Sequence, residues 1–158
     1  MSRSLPRLVA LCVIAVGAAA WLLLGRETGA DAADISLPYS RAENTTRGAL
    51  IYAENCADCH GANLEGEANW RQMGADGRMP APPHNQSGHT WHHPDTLLFA
   101  ITKYGSETVV GQGYESNMPG FEGNLSDQDI VDVLAFIKST WPEDVIQRHD
   151  QINAQSRP

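Results

Sequence analysis

Cys56-Ala57-Asp58-Cys59-His60 is a C-x-x-C-H string, and the spacing of its side chains decides how the rest of the chain is read. Two thiols three positions apart share one side of a helical turn, and an imidazole follows the second directly. Such a string attaches a c-type haem: each thiol forms a thioether to one vinyl group while the histidine swings under the iron. A C-x-x-C pair alone also serves zinc and thiol redox sites. A zinc site would have to draw on His89-Thr90-Trp91-His92, an H-x-x-H string, yet 29 residues separate Cys59 from His89. A compact finger uses roughly 12 to 15. Zinc also gives no reason for His60 to follow Cys59, and no βαβ pattern surrounds the pair to support a thioredoxin-like dithiol.

The N-terminal segment is of another kind. Arg3 and Arg7 precede Leu8 to Gly25, a run without one charge, and Arg26-Glu27 closes it. As a helix this run spans roughly 27 Å at about 1.5 Å per residue, the lower limit for a bilayer, whereas signal-peptide cores run about 7 to 15 residues. Residues 1–30 therefore read as a membrane anchor or a signal segment. Length favours the anchor; Gly17-Ala18-Ala19-Ala20 and Ala30-Asp31-Ala32 keep cleavage open as the alternative. Cys12 follows Leu11, too large for a lipidation site, and reads as a small apolar residue in the run. The basic flank stays cytoplasmic and the remainder crosses. The expected location is a bacterial inner membrane with the folded part facing the periplasm, or the soluble periplasm after cleavage.

Residues 31–40 read as a polar, proline-containing tether, which leaves about 115 residues, enough for one small domain and one haem. From Asp34 onward eight Lys and Arg oppose seventeen Asp and Glu. That balance argues against nucleic acid and against an acidic docking partner; solubility alone also accounts for it.

Arg41 to Asn55 carries Ala42, Ala49, Tyr52 and Ala53 with few breakers and runs into the first cysteine, the pattern of an amphipathic helix. Pro94-Asp95 starts a shorter helix with Leu97, Leu98, Ile101 and Tyr104 on a stripe and Gly105 at its end. Leu125-Ser126-Asp127-Gln128-Asp129 opens a last helix with a serine cap and an acid three places on, followed by Ile130, Val133, Leu134 and Ile137; Pro142 ends it. Residues 143–158 are then a C-terminal extension. No useful alternating pattern appears, so the class is all-α with long loops. Side-chain burial alone does not easily order Gly61 to His93 in so small a domain; an apolar macrocycle would do so, walled by Trp70, Met79, Pro80, Pro82, Pro83 and Trp91.

Three features together, C-x-x-C-H after a first helix, Asn117-Met118-Pro119-Gly120-Phe121 downstream and the helix Leu125 to Trp141, resemble a class I cytochrome c. The resemblance covers roughly residues 41–142. It implies a cytochrome c-like helical domain with haem-wrapping loops and a single haem c on Cys56 and Cys59, with His60 and Met118 as axial iron ligands. It further implies that Gly48 and Tyr52 cross Val133 and Phe136, and that a proline carbonyl, here Pro82, holds the other nitrogen of His60. The implied function is one-electron transfer between redox partner proteins, with no catalytic residue and no enzyme activity. Another class stands as the alternative: a haem enzyme or gas sensor with an open sixth site. Were Met118 lost, water, His84 or His89 are the expected replacements. The chain departs from the lysine-ringed members of the family, retaining only Lys103 and Lys138, and from standard members in its loop of His84, His89, His92 and His93. That loop reads as a polar haem edge, with a second metal site, copper among the options, as the sharper alternative.

Overall fold

Among the described residues, helix formation begins after the proline-containing stretch that ends at Ser40. The computed structural model describes residues 35–156, and α1 runs Ala42–Asn55. The apolar run Leu8 to Gly25, and with it the expected membrane segment, lies outside the described residues. Among the described residues, no helix is long and apolar enough to cross a membrane. The end of the expected tether is packed rather than free: Ile35 and Leu37 are both buried in the core, and the Leu37 amide donates to Asp95 at 3.3 Å. Two aliphatic residues two positions apart face the same way in an extended segment, which is how a short stretch seals a core edge.

A single turn, α2 (Ala57–His60), follows α1 after Cys56. The expected middle helix is α3, Asp95–Tyr104, closed by Gly105 at φ 83. A short α4 (Ser106–Val110) follows. Helix α5 spans Asp127–Ser139. The Ser126 hydroxyl accepts from the Asp129 amide while the Asp129 carboxylate accepts from the Ser126 amide, so two orphan donors of the first turn are satisfied reciprocally. Among the described residues the only β pairing is an isolated bridge between Glu122 and Leu125, which fits the all-α expectation.

Helices α1 and α5 cross at Gly48. A Cβ there would collide with the Asp132 carbonyl and come within 2.9 Å of the Phe136 Cβ, so only glycine allows the two backbones this approach. Tyr52 closes the crossing against Phe136, with ring centroids 5.6 Å apart, and Val133 is buried beside them. The buried Asp132 carboxylate accepts from Asn44 at 2.6 Å, Arg47 at 2.9 Å and Gln128 at 2.8 Å. Three donors offset the cost of sequestering the charge.

The segment after Pro142 departs from expectation. Pro142 stops α5, but its carbonyl accepts from Val145 and Ile146 and starts another helix, α6, Glu143–Ser156. Proline is well suited to a helix start because its missing N–H is not needed there. Val145, Ile146 and His149 of α6 are buried, so α5 is not the last helix and the extension belongs to the packed body. Its hold is polar as well: the Asp95 amide donates to Asn153 at 2.7 Å, and Lys138 pairs with Asp150 at 2.5 Å while lying 4.6 Å from the Tyr39 ring centroid.

His149, fully buried, is the pH-sensitive part of this hold. It lies 3.0 Å from the His93 carbonyl through Nε2. A carbonyl only accepts, so Nε2 carries the proton and Nδ1 faces the Asn153 amide at 3.4 Å. Burial, reinforced by Lys138 and opposed by Asp95, the His93 carbonyl and Asp150, lowers its pKa. The unfolded chain therefore binds a proton on this residue that the fold does not. Its contribution is complete above the ordinary value near 6.5 and is lost as pH falls from there through the lowered folded value. Thermal midpoints taken across that range should drop with acidification, and His149→Asn should flatten the slope; an equal slope in the variant would remove His149 as its source.

Candidate functional site

The C-x-x-C-H turn is built by local backbone bonding. The Cys59 and His60 amides donate to the Cys56 carbonyl at 3.2 and 2.9 Å, and Gly61 leaves the helix at φ 79, a conformation that favours glycine. The Tyr52 hydroxyl donates to the Gly61 carbonyl at 2.9 Å, fixing the turn to α1, and burial raises the pKa of that phenol. Cys56, Cys59 and His60 are thus brought together on one short segment.

His60 is buried, and its Nδ1 lies 2.8 Å from the Pro82 carbonyl. The acceptor can only be the carbonyl, so Nδ1 carries the proton and the Nε2 lone pair is left for a metal. Among the three candidate prolines, Pro82 is the one that supplies this bond. Burial lowers the His60 pKa, against the opposing effects of Pro82 and Glu67, which keeps the ring neutral. Neither cysteine is in a disulfide. Cys56 is half-buried and its thiol is pushed up to about 11, mainly by burial and then by Cys59. Redox dithiols work through lowered thiol pKa values, so this shift has the wrong sign for a thioredoxin-like centre. Two unpaired thiols beside an imidazole with a free Nε2 fit covalent haem attachment.

The loop after the turn carries its own mesh of bonds. Glu67 and Ala81 are tied in both directions, amide to carbonyl at 2.9 Å and amide to carboxylate at 2.6 Å. His84 donates its amide to Leu64 at 2.9 Å. Gly88 lies so close to Pro83 that a Cβ would collide with the Pro83 carbonyl. Trp70, Met79, Pro80, Pro82 and Trp91 are partly exposed and Pro83 is buried.

Met118 sits on a separate loop, half-buried. Its amide donates to the Ser116 hydroxyl at 3.0 Å, and the following residues are clamped to the end of α3 through Phe121 to Thr102 at 3.0 Å and Glu122 to Lys103 at 2.9 Å. Gly105 and Gly120 make the clamp close: a Cβ on Gly120 would lie 2.7 Å from the Tyr104 carbonyl carbon. Arg78 bonds Asn117 at 3.1 Å and pairs with Glu115 at 3.5 Å, tying this loop to the one that follows the cysteines.

The histidine-rich loop separates into two groups. His89 stands 5.3 Å from His92 and 4.6 Å from His93, ring centroid to centroid. Even so, no group of three His, Cys, Asp or Glu side chains among the described residues is placed to hold a metal ion. His84 is apart from them and stacks on His60, with centroids 3.9 Å apart. That side of the site is where His60 is, so His84 is not a replacement base for the methionine side. No local pattern marks this contact in the sequence; the signal is that His84 falls two residues after the proline whose carbonyl holds His60. Lys103 and Lys138, the two lysines of the sequence, are both committed, to Asp127 at 2.7 Å and to Asp150.

A four-part agreement of attachment turn, proline carbonyl, glycine crossing and clamped methionine loop defines a haem-binding electron-transfer fold. The cytochrome c family pattern matches residues 45–141, and the chain belongs to the cytochrome c family. It is similar to the gluconate 2-dehydrogenase cytochrome c subunit of Pantoea cypripedii, 26% identical over 102 residues, which cover 64% of this chain and 21% of that protein. The chain thus spans about a fifth of the length of that relative. No solved structure matches the chain.

Proposed function

We propose that this cytochrome c is a one-electron carrier with a single haem c and His60/Met118 axial ligation, working at the periplasmic face of a bacterial inner membrane to which residues 1–30 tether it. Haem c supplies the ferric/ferrous couple when bound. Cys56 and Cys59 hold it by thioethers, and His60 offers Nε2. Pro82 retains the proton at Nδ1, which fixes the tautomer and raises the basicity of the ligand. Met118 brings a neutral thioether on a loop pinned at its backbone. A soft neutral ligand together with burial favours the ferrous state and raises the potential relative to two imidazoles. Two ligands held in place by the fold, His60 and Met118, would suit fast one-electron exchange. The observation that carries the reading is the His60 Nδ1 to Pro82 bond at 2.8 Å beside two free thiols.

A second reading concerns the partner. The similarity to a dehydrogenase cytochrome c subunit favours an electron donor of the dehydrogenase class, for which this chain would be the acceptor. The chemistry of the carrier is the same in both. The test is to express the full chain in a bacterium competent for haem attachment. The expected results are membrane-bound protein that resists salt washing, one haem per chain that survives acid extraction and denaturing electrophoresis, and a reversible one-electron titration. Loss of all haem under those conditions would overturn the attachment, and a mature N-terminus at Trp21 or Ala33 would replace the tether by a cleaved signal.

A further inference from the structure

One hydrogen bond at Nδ1 sets the direction of an imidazole but leaves its plane free to rock about that bond. In this chain a second group takes up that freedom. The ring of His84 lies against the ring of His60, with centroids 3.9 Å apart and planes 24° from parallel.

His84 is itself fixed from several sides. Its Nδ1 is 2.6 Å from the hydroxyl of Thr90, a buried residue. Its amide donates to Leu64, and its carbonyl accepts from the Trp141 indole at 2.7 Å. Tyr52 stands edge-on at 6.1 Å. Trp141 in turn packs edge-on against His149 of α6, 5.1 Å away. An aliphatic residue in the place of His84 would fill the volume but would have no atom for Thr90 to hold. A histidine locked at Nδ1 presents a flat face of fixed orientation.

We propose that His84, locked by Thr90, is a positioning residue that fixes the plane of the His60 imidazole about its bond to the haem iron. The inference rests on His60 being an axial ligand. Such a plane sets how the ligand's π orbitals overlap with the iron, so its loss is read directly in the low-spin ferric state. A uniquely held plane gives one narrow set of low-temperature electron paramagnetic resonance features. A rocking plane gives shifted, broadened or split ones.

The experiment compares the loaded wild-type protein with His84→Ala, His84→Phe and Thr90→Val, each with its haem content measured. Wild type should give one narrow low-spin signal. His84→Ala should shift and broaden it, and Thr90→Val and His84→Phe, which keep a flat ring without the bond at Nδ1, should each broaden it less than His84→Ala does. A signal in His84→Ala superimposable on wild type would overturn the proposal, as would signals in Thr90→Val and His84→Phe as narrow as that of wild type. Should His84→Ala yield too little loaded protein, Thr90→Val decides by the same criterion. A wild type without covalent haem would instead overturn the reading of the site as a whole, so the two failures are distinguishable.

Discussion

Replacing Cys56 and Cys59 together by alanine should leave a chain that carries no covalent haem and does not accumulate as a folded domain. The reason lies in what the loop between the attachment turn and α3 buries. Its backbone is bonded, but Trp70, Met79 and Trp91 remain partly exposed, and they are the large apolar groups available to cover a macrocycle. Fully burying one such side chain is worth about 1.5–3 kcal/mol. Several of them, with the haem itself, approach the roughly 5–15 kcal/mol that is the whole stability of a typical domain. A group that binds only the folded state contributes its binding energy to folding, and a covalent one is never diluted away. Periplasmic yield, far-ultraviolet circular dichroism and limited proteolysis of the double variant measure the effect. A protease-resistant apo-domain with native helicity would show that the core of α1, α3, α5 and α6 suffices without haem.

That core was legible in the sequence where short-range chemistry sets the structure. The Ser126 and Asp129 capping box and Gly105 at the end of α3 each follow from a residue type at a fixed offset, whereas the crossing at Gly48 was implied by the family resemblance. The Pro82 bond to His60 was accessible only through the family resemblance, because the partners lie 22 positions apart and nothing local selects among Pro80, Pro82 and Pro83. What the sequence hid was of two kinds. Helix α6 was obscured by Pro142, which stops one helix and starts the next. Moreover, Glu143–Ser156 buries only Val145, Ile146 and His149, too sparse a stripe to stand out from a polar tail. The stack of His84 on His60, the Asp95–Asn153–His149 cluster and the burial of Ile35 and Leu37 are long-range meetings of side chains whose own neighbourhoods look like loop. Polar residues of this kind acquire their role only when the fold brings a partner, and no periodicity records that.

The thioether side of the site makes the other large prediction. Wild-type ferric protein should show the weak near-infrared sulfur-to-iron band of His/Met ligation, and its ferrous form should bind carbon monoxide slowly or not at all, because both axial positions are filled. Met118→Ala should abolish the band and make carbon monoxide binding fast. The loop itself should persist in this variant, since it is held through Ser116, Thr102, Lys103 and Arg78 and not through the methionine side chain. Water is the expected new ligand: His84 is engaged with the His60 ring and Thr90, and His89 packs with His92 and His93. Removing a ligand that favours ferrous iron should lower the potential by on the order of 100–300 mV, a fraction of the roughly 0.8 V over which axial ligands tune haem proteins. Spectra, carbon monoxide kinetics and a redox titration on the same samples read all three effects. If wild-type ferrous protein binds carbon monoxide readily and lacks the sulfur band, Met118 is not a ligand, and a haem protein with an open sixth site becomes the function to pursue.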